Sequence, residues 1–221
     1  MMSPATPRKK SRDLIRWVYE LLFASFGPQH WWPGDTPFEI MVGAILTQNT
    51  NWRNVSRAIE NIKAKKLLEP KRLYKHRRMI PALIKPSGFY RLKSRRLSAF
   101  LEYFIEQYDA DINSMKRMPT ARLRKELLGV TGIGQETADS ILLYAVRRPV
   151  FVVDAYTRRI FSRHDLFNNK LGYERIRSLF ECHMPRSPKL YNEYHALIVR
   201  CAKEFCRKHD PRCTDCPLHA V

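Results

Sequence analysis

The segment Leu128-Gly129-Val130-Thr131-Gly132-Ile133-Gly134 lies between two stretches whose apolar residues recur with helical spacing. Gly132 and Gly134 permit a tight turn because neither residue carries a Cβ atom. Such a turn leaves backbone N–H groups exposed at the start of the following helix, where the helix dipole also favours an anion. The segment therefore predicts a helical hairpin in which Gly132, Ile133 and Gly134 hold one phosphate of a nucleic acid. The alternative is a plain connection between two helices.

Helical periodicity extends outward from this hairpin in both directions, and no segment alternates for long enough to form a sheet. The sequence therefore predicts an all-α fold. Val150–Val153 is apolar but short and isolated, so we expect extended chain there, leading into a helix from about Ala155. The other predicted helices cover Asp13–Phe26, Phe38–Leu46, Trp52–Leu68, Leu73–Leu83, Lys93–Tyr108, Ala121–Leu128, Glu136–Ala145, Tyr173–Cys182 and Leu190–Cys206.

The composition indicates a polyanionic partner. Lys and Arg number 40 against 21 Asp and Glu, which gives the 221 residues a formal net charge of +19. Basic side chains that neutralise phosphates release condensed counterions, so this excess suits nucleic acid, although a merely soluble basic protein is the alternative. No apolar run reaches the roughly 18 residues that a membrane span needs. Residues 1–12 are basic and polar, unlike a signal peptide, so we expect a flexible tail and an intracellular protein of the cytoplasm or nucleoid.

The hairpin, followed about twenty residues later by Val152-Val153-Asp154, resembles the helix-hairpin-helix and trailing catalytic aspartate of endonuclease III and its relatives. The resemblance runs from about Phe38 to Cys216. It implies a monomeric DNA glycosylase of base excision repair that acts on double-stranded DNA containing a damaged base. It also implies two helical lobes with the DNA cleft between them. Residues 37–148 would form a six-helix barrel with the hairpin at 128–138, and 149–221 would pack with 13–36, the helical part of an N-terminal segment, 1–36, that begins with the basic tail.

Asp154 is the candidate catalytic residue by this resemblance. It ends the apolar stretch and precedes a helix that carries Arg158, a candidate DNA contact. Breaking a glycosidic bond builds positive charge on the deoxyribose, and a fixed carboxylate stabilises that charge and can orient or deprotonate water. The alternative is an aspartate that only caps the following helix, and the two roles are compatible.

Glu136 occupies the position at which bifunctional members of the family carry a nucleophilic lysine. A carboxylate cannot form a Schiff base with the sugar. We therefore expect a monofunctional enzyme without lyase activity at abasic sites. The alternative for Glu136 is an acid in the first helical turn, where the helix dipole favours it.

Four motifs resemble the 3-methyladenine DNA glycosylase III branch of the superfamily. They are Trp-Trp-Pro at 31–33, Leu-Thr-Gln-Asn-Thr at 46–50, Pro-Ser-Gly-Phe-Tyr at 86–90, and Gly-Ile-Gly-x-Glu-x-Ala-Asp at 132–139. By that resemblance Trp31, Trp32, Trp52 and Glu136 form the pocket of a flipped alkylated base, whose positive charge attracts aromatic faces. Core packing is the alternative for the tryptophans. Two rival functions stay open: removal of oxidised, deaminated or mismatched pyrimidines, and a non-catalytic helix-hairpin-helix DNA-binding module.

Gln48 and Asn49 lie where the superfamily inserts an amide into the gap that a flipped nucleotide leaves. Either residue suits this wedge role. The alternative is that they cap the helix predicted to begin near Trp52.

Four of the five cysteines crowd into the last 21 residues, a distribution that favours metal or cluster ligation in a reducing compartment. Cys206, Cys213 and Cys216 match three of the four thiolates that hold a [4Fe–4S] cluster in endonuclease III-like proteins. The family's fourth cysteine would fall at position 222, after the last residue of this sequence, and Cys201 is the best internal candidate.

Two alternatives to a cluster remain: a zinc site that uses His209 or His219, and no metal at all. A cluster would fix the basic loop that contains Arg207, Lys208 and Arg212 toward the DNA backbone. The 3-methyladenine branch departs here because its familiar member lacks these cysteines, which leaves the base specificity open.

Overall fold

The structure is a computed structural model that describes residues 11–31, 34–168 and 170–221. The tail expected at the N-terminus lies largely outside these residues. The described chain is all-α and contains no strand, as the sequence predicted. Its helices are α1 (Ser11–Phe26), α2 (Pro37–Leu46), α3 (Trp52–Ala64), α4 (Pro70–Lys75), α5 (Ile80–Leu83), α6 (Tyr90–Tyr108), α7 (Ile112–Arg117), α8 (Thr120–Gly129), α9 (Gln135–Ser140), α10 (Ala155–Arg163), α11 (Tyr173–His183) and α12 (Pro188–Glu204).

The chain divides into two compact units. One combines the residues up to Trp31 with Val150–Val221, and the other is Trp32–Pro149. We call them the terminal unit and the central unit. In the described ranges, no helix is long and apolar enough to cross a membrane.

The helices of both units begin at residues that satisfy their first N–H groups. The side chains of Thr36, Asn51, Asp111, Asp154 and Ser187 each accept a hydrogen bond from a backbone N–H in the first turn. Proline at the first or second position of α2, α4 and α12 adds a fixed φ where no N–H is needed. Local sequence therefore determines where these helices start.

The core of the central unit forms around α2, which is buried on most of its surface and packs on α3, α6 and α9. The side chain of a lysine also lies inside this core. Lys93 of α6 is 1% exposed, and its Nζ donates to the carbonyl oxygens of Leu46 (2.8 Å) and Ser87 (2.6 Å). Lys93 thus joins the C-terminal end of α2 to the short 3₁₀ helix Lys85–Ser87.

The core of the terminal unit is aromatic. Phe151 stacks on Phe180 with ring centroids 4.1 Å apart, and both rings meet the edge of Tyr194. The hydroxyl of Tyr194 donates to the backbone oxygen of Ile15 at 2.6 Å, which ties α12 to α1. Phe151 belongs to the extended stretch Val150–Val153, whose four side chains are all buried. This apolar stretch therefore anchors the chain just before Asp154.

The observed helices differ from the predicted ones most clearly in three places. The segment predicted as one helix over Leu73–Leu83 is broken at His76 and continues as a 3₁₀ turn and α5. The helix after the hairpin changes to π geometry over Ile141–Ala145. The short helix α7 was not predicted, because six residues carry too few apolar positions to show a period.

Candidate functional site

The glycine hairpin connects α8 to α9 as predicted. Gly132 has φ +84°, a left-handed conformation that glycine adopts without strain, whereas Gly134 has φ −88°. Ile133 is 4% exposed, and its N–H donates to the carbonyl of Val130 at 3.0 Å. The side chain of Ile133 therefore anchors the turn in the core. Thr131, Gly132 and Gly134 around it are exposed.

Gln48 fastens the 47–50 loop to this hairpin. Its Nε2 donates to the carbonyl of Gly132 (3.1 Å) and to the hydroxyl of Thr137 (2.9 Å). Its Oε1 accepts a short hydrogen bond from Arg96, whose side chain lies across Gly132. A Cβ atom built on Gly132 would stand 2.3 Å from Cγ of Arg96. The turn is therefore closed by one amide and one guanidinium of the same unit.

Asn49 differs from Gln48 in being exposed and having φ +53°. Neither residue caps α3, because the cap is Asn51, whose Oδ1 accepts from the N–H of Asn54. The capping alternative for Gln48 and Asn49 is wrong. Gln48 is instead held by the hairpin, and Asn49 presents its side chain to solvent.

Asp154 caps α10, and most of its side chain is enclosed. Its Oδ1 accepts from the N–H (2.7 Å) and the hydroxyl (2.9 Å) of Thr157. Its Oδ2 lies 3.4 Å from Nε2 of His195, and 12% of the side-chain surface remains exposed. The capping role considered for this residue is thus present, and it leaves one oxygen directed at a histidine.

Opposing effects act on the Asp154 carboxyl. Burial raises its pKa, but the charge and hydrogen bond of His195 and the two hydrogen bonds from Thr157 together lower it below the usual value. The carboxyl is therefore ionised at neutral pH. A buried ionised carboxylate held by fixed donors is suited to stabilising a cation that forms beside it.

The ring of His195 also stacks on Trp31, with centroids 5.7 Å apart and planes inclined by 24°. The backbone oxygen of Trp31 accepts from Nδ2 of Asn192 at 3.3 Å, which holds this end of the segment on α12. Trp31 therefore contacts the ring face of the same histidine whose Nε2 faces Asp154. Trp32, the second predicted pocket tryptophan, lies outside the described residues.

Trp52 and Glu136 belong to the central unit. The ring of Trp52 packs on α2, where a Cβ built on Gly43 would meet it at 3.2 Å. This ring therefore packs partly against the core, as the packing alternative proposed. The residue as a whole is half-exposed. Glu136 is exposed in the first turn of α9, where the helix dipole favours a negative charge.

The arginines of α10 are directed at backbone carbonyls. Arg158, a predicted DNA contact, donates to the carbonyl of Leu171 at 2.9 Å. Arg159 donates to the carbonyls of Cys206 and Ala202, and Arg163 donates to those of Arg207 and Lys208. The last two arginines fix the basic loop that follows α12.

The cysteine thiols are only partly gathered. The sulfurs of Cys201 and Cys216 lie 3.8 Å apart, and Cys206 accepts a hydrogen bond from Arg163 at 3.2 Å. The hydrogen bond between the pair raises the pKa of Cys201 and lowers the pKa of Cys216 to about 6. Cys213 is exposed. Across the described ranges, no three His, Cys, Asp or Glu side chains are arranged to hold a metal ion. Four thiols are the right donors for iron, but this arrangement assembles only two of them.

Three residues at these sites were missed from the sequence. His195 and Arg96 gave no signal, because each acts through a partner distant in sequence. Phe89 could have been found from the motif at 86–90. It follows Gly88, has φ +45° and is 67% exposed, an unusual position for a phenylalanine.

Comparison with known proteins identifies the family of the chain. The family model for HhH-GPD superfamily base excision DNA repair proteins matches residues 42–185. A protein of Methanocaldococcus jannaschii, named as a candidate DNA repair glycosylase, is 47% identical over 93% of this chain and 94% of its own length.

Two solved structures share the fold. The 3-methyladenine DNA glycosylase MagIII of H. pylori, bound to 1,N6-ethenoadenine, is 28% identical with a TM-score of 0.75, over 89% of this chain and 98% of its own. A trapped endonuclease III–DNA covalent intermediate has a TM-score of 0.81 at 19% identity, over 96% of each chain. The chain therefore belongs to the HhH-GPD superfamily of base excision DNA repair proteins and is a DNA glycosylase of that superfamily.

Proposed function

We propose that this glycosylase hydrolyses the bond between deoxyribose and an alkylated, 3-methyladenine-type base, and that it leaves the DNA strand intact. The observation that carries the proposal is the arrangement of Asp154, His195 and Trp31. An ionised carboxylate and an aromatic face are held against one histidine. A sugar that develops positive charge and a base that already carries it both suit these neighbours.

Asp154 acts in this proposal as a fixed anion. Its Oδ1 is occupied by two hydrogen bonds from Thr157, so Oδ2 is the oxygen that faces the reaction. Because its pKa is lowered, the carboxylate is charged before the substrate binds and needs no proton transfer to become so. Its contribution is to stabilise the oxocarbenium-like transition state and to orient the attacking water.

The base pocket that we propose consists of Trp31, Trp32, Trp52 and Glu136. A base with formal positive charge is attracted to each tryptophan face by about 0.5–2 kcal/mol, and Glu136 adds a negative charge. The similarity to MagIII, which was solved with 1,N6-ethenoadenine, supports a modified purine as the substrate. A cationic base is also a good leaving group, so the site needs no strong general acid.

The DNA contacts that we propose are the Gly132–Gly134 turn and the 47–50 loop. The turn binds one phosphate at the start of α9. Asn49 is the more exposed of the two amides, while Gln48 supports the turn that carries the phosphate site. Arg158 of α10 is the proposed contact in the terminal unit. Phe89 joins this set, because an exposed apolar ring can insert between base pairs and kink the duplex.

A panel of duplexes with defined lesions tests the substrate. We expect release of 3-methyladenine or 7-methylpurines by the wild-type chain. Asp154→Asn should bind the same duplexes with unchanged affinity and release base at least about 100-fold more slowly, because asparagine caps a helix but carries no charge. Unchanged turnover by this variant would refute the mechanism. Excision of thymine glycol or uracil without alkylpurine release would refute the substrate class.

The monofunctional assignment has its own test. Glu136 cannot form an imine with the sugar, so the abasic product should remain uncut after base release. Borohydride reduction during the reaction would trap an imine as a covalent protein–DNA adduct. Such an adduct would mean that a lysine elsewhere or the terminal amine acts as nucleophile.

Excision of oxidised or mismatched pyrimidines is the second candidate function. The observation that favours it is the spacing of Cys206, Cys213 and Cys216, which matches endonuclease III-like proteins. Endonuclease III of Thermotoga maritima is 28% identical over 82% of this chain. The same lesion panel separates the two candidates.

We also propose that Cys201, Cys206, Cys213 and Cys216 hold a [4Fe–4S] cluster. The donor type and spacing support the proposal, and the cluster would add a structural constraint to the loop that Arg159 and Arg163 already hold. No step of base removal depends on it. Bound iron and acid-labile sulfide, with a broad visible absorption band, are expected in anaerobically purified protein. A purified chain that contains zinc or no metal contradicts this proposal.

A further inference from the structure

The central unit contains an open cavity of about 580 Å³ that no step above uses. It lies between α4, the turn that follows it, and α6. Four arginines line it: Arg77, Arg78, Arg91 and Arg95. Among the lining residues, all of which the structure describes, Glu102 is the single acid. The cavity is therefore strongly cationic.

The carboxylate of Glu102 offsets only one of the four arginine charges, so the lining stays net positive. Oε1 of Glu102 accepts a hydrogen bond from the hydroxyl of Tyr74 at 2.9 Å. Arg77 stacks over the ring of Tyr74, with its guanidinium carbon 4.6 Å from the ring centroid. Arg91 and Arg95 are exposed at the rim. Guanidinium groups that converge on one space suit an oxyanion, because their N–H forks match the geometry of phosphate oxygens.

A second and independent observation points to a ligand. Ser94, at the wall of the cavity, is 6% exposed, and its Oγ has no hydrogen-bond partner among the residues that the structure describes. A buried hydroxyl without a partner is costly, and such groups are usually paired. Rotation of the Ser94 hydroxyl toward the cavity would let a seated oxyanion supply the missing acceptor.

The orientation of α6 separates this cavity from the hairpin. Arg91, Arg95 and Ser98 follow one another at helical spacing and share one face. Lys93 and Arg96 lie on another face, where Lys93 holds the C-terminal end of α2 and Arg96 holds Gln48 of the 47–50 loop. Both faces begin directly after the exposed Phe89. A duplex that contacts Phe89 would therefore bring further phosphates to the arginine face.

We propose that this cavity is a second phosphate-binding site, and that it takes a backbone phosphate of the duplex outside the segment held by the hairpin. The inference rests on the proposed function in one respect, namely that Phe89 contacts DNA. It assigns Arg91 and Arg95 to the rim of the site and Ser94 to its floor.

The salt dependence of binding to undamaged duplex tests the site. The variant is Arg91→Ala/Arg95→Ala, and the matched control is Lys189→Ala/Lys203→Ala, which removes two exposed charges from α12. Each lost phosphate contact should reduce the slope of log K against log salt by about 0.9. We expect a slope shallower by about 1–2 in the arginine variant and little change in the control. Equal slopes in the two variants would overturn the proposal.

Two further measurements narrow the assignment. Ser94→Ala should weaken duplex binding about tenfold with an unchanged salt slope, because it removes a hydrogen bond and no charge; wild-type affinity would overturn the placement of the phosphate against Ser94. Inorganic phosphate at constant ionic strength reports on a site for the free anion. Inorganic phosphate could raise the melting temperature of the wild type but not of the arginine variant, while the salt slopes for duplex binding stay equal in the arginine variant and the lysine control. That result would overturn the assignment of the site to DNA.

These assays require no base release, so they fail separately from the proposed function. A chain that binds duplex through the arginines but releases no alkylated base refutes the proposed function alone. A chain that releases base while the arginine variant keeps the wild-type slope refutes the second phosphate site alone. Thermal unfolding of each variant establishes that the fold is retained.

Discussion

Replacement of Gly132 by alanine should distort the hairpin by two separable effects. The backbone at Gly132 has φ +84°, which costs an alanine about 1–2 kcal/mol relative to glycine. The new methyl group would also stand 2.3 Å from Cγ and 2.7 Å from Cδ of Arg96. These atoms belong to the stem of the arginine, so the whole side chain must move. Movement breaks its hydrogen bond to Gln48, a charge-assisted contact worth about 1.5–3 kcal/mol.

The expected loss is therefore about 2–4 kcal/mol in the free energy of unfolding, after allowance for partial exposure of the Arg96–Gln48 bond. For a chain of this length, each kcal/mol lowers the melting temperature by about 2–4 °C, so a decrease of roughly 5–15 °C is expected. Affinity for undamaged duplex should fall as well, because the turn that presents N–H groups to the phosphate is no longer closed by Gln48.

Gly134→Ala is the matched control. Gly134 has φ −88°, and no heavy atom lies within 4 Å of the position of its Cβ. Its stability should change by less than about 1 kcal/mol. When Arg96 is also replaced by alanine, the steric effect on Gly132→Ala is removed. The substitution should then cost only the free energy of the left-handed backbone conformation. Equal stability of Gly132→Ala and Gly134→Ala in chemical denaturation would refute the reasoning.

Three further predictions concern buried charges. Burial, with the charge of Arg96 as a smaller cause, lowers the pKa of Lys93 to about 8 from its ordinary value of 10.5. Between these two pH values the unfolded chain binds a proton that the folded chain lacks. The free energy of unfolding should therefore rise with pH through this window by up to about 3 kcal/mol relative to Lys93→Met, and parallel denaturation curves for the two proteins would contradict it. Loss of the imidazole in His195→Ala should raise the pKa of Asp154, which moves the acid-side decline of base release to higher pH; His195→Gln is the matched variant, and an unmoved pH profile in His195→Ala would exclude this role. Arg124→Ala leaves the fully buried Asp139 without the bidentate partner that holds it at 2.6 and 3.1 Å, and should cost about 3–5 kcal/mol in urea unfolding, so a change below about 1 kcal/mol would show that the pair is not structural.

Helices and turns were predictable from this sequence because their signals are local. Apolar residues at helical spacing located α1 and α3, a nearly continuous apolar run located α2, and the glycines of the hairpin marked the turn between α8 and α9. The extended stretch before Asp154 was also expected correctly. All four of its residues are apolar, and all four are buried.

Partnerships between distant residues were not predictable. Lys93 looks like a surface residue in the sequence, and only the fold shows that two helix ends supply its acceptors. His195 is 41 positions from Asp154 and has no motif of its own. The arginine cavity likewise forms because a broken helix folds back along α6. A single sequence gives the face on which a residue lies, but it does not give the residue that meets that face.

The contacts of α10 determine how freely the sequence of the basic loop after α12 can vary. Arg159 and Arg163 bind the loop through backbone oxygens, and these atoms are present whatever side chains the loop carries. Substitutions between Arg207 and Arg212 can therefore alter the surface that the loop presents while its path stays fixed. Since Asp154 starts the same nine-residue helix, the chain can diversify at one end of α10 without moving the carboxylate at the other.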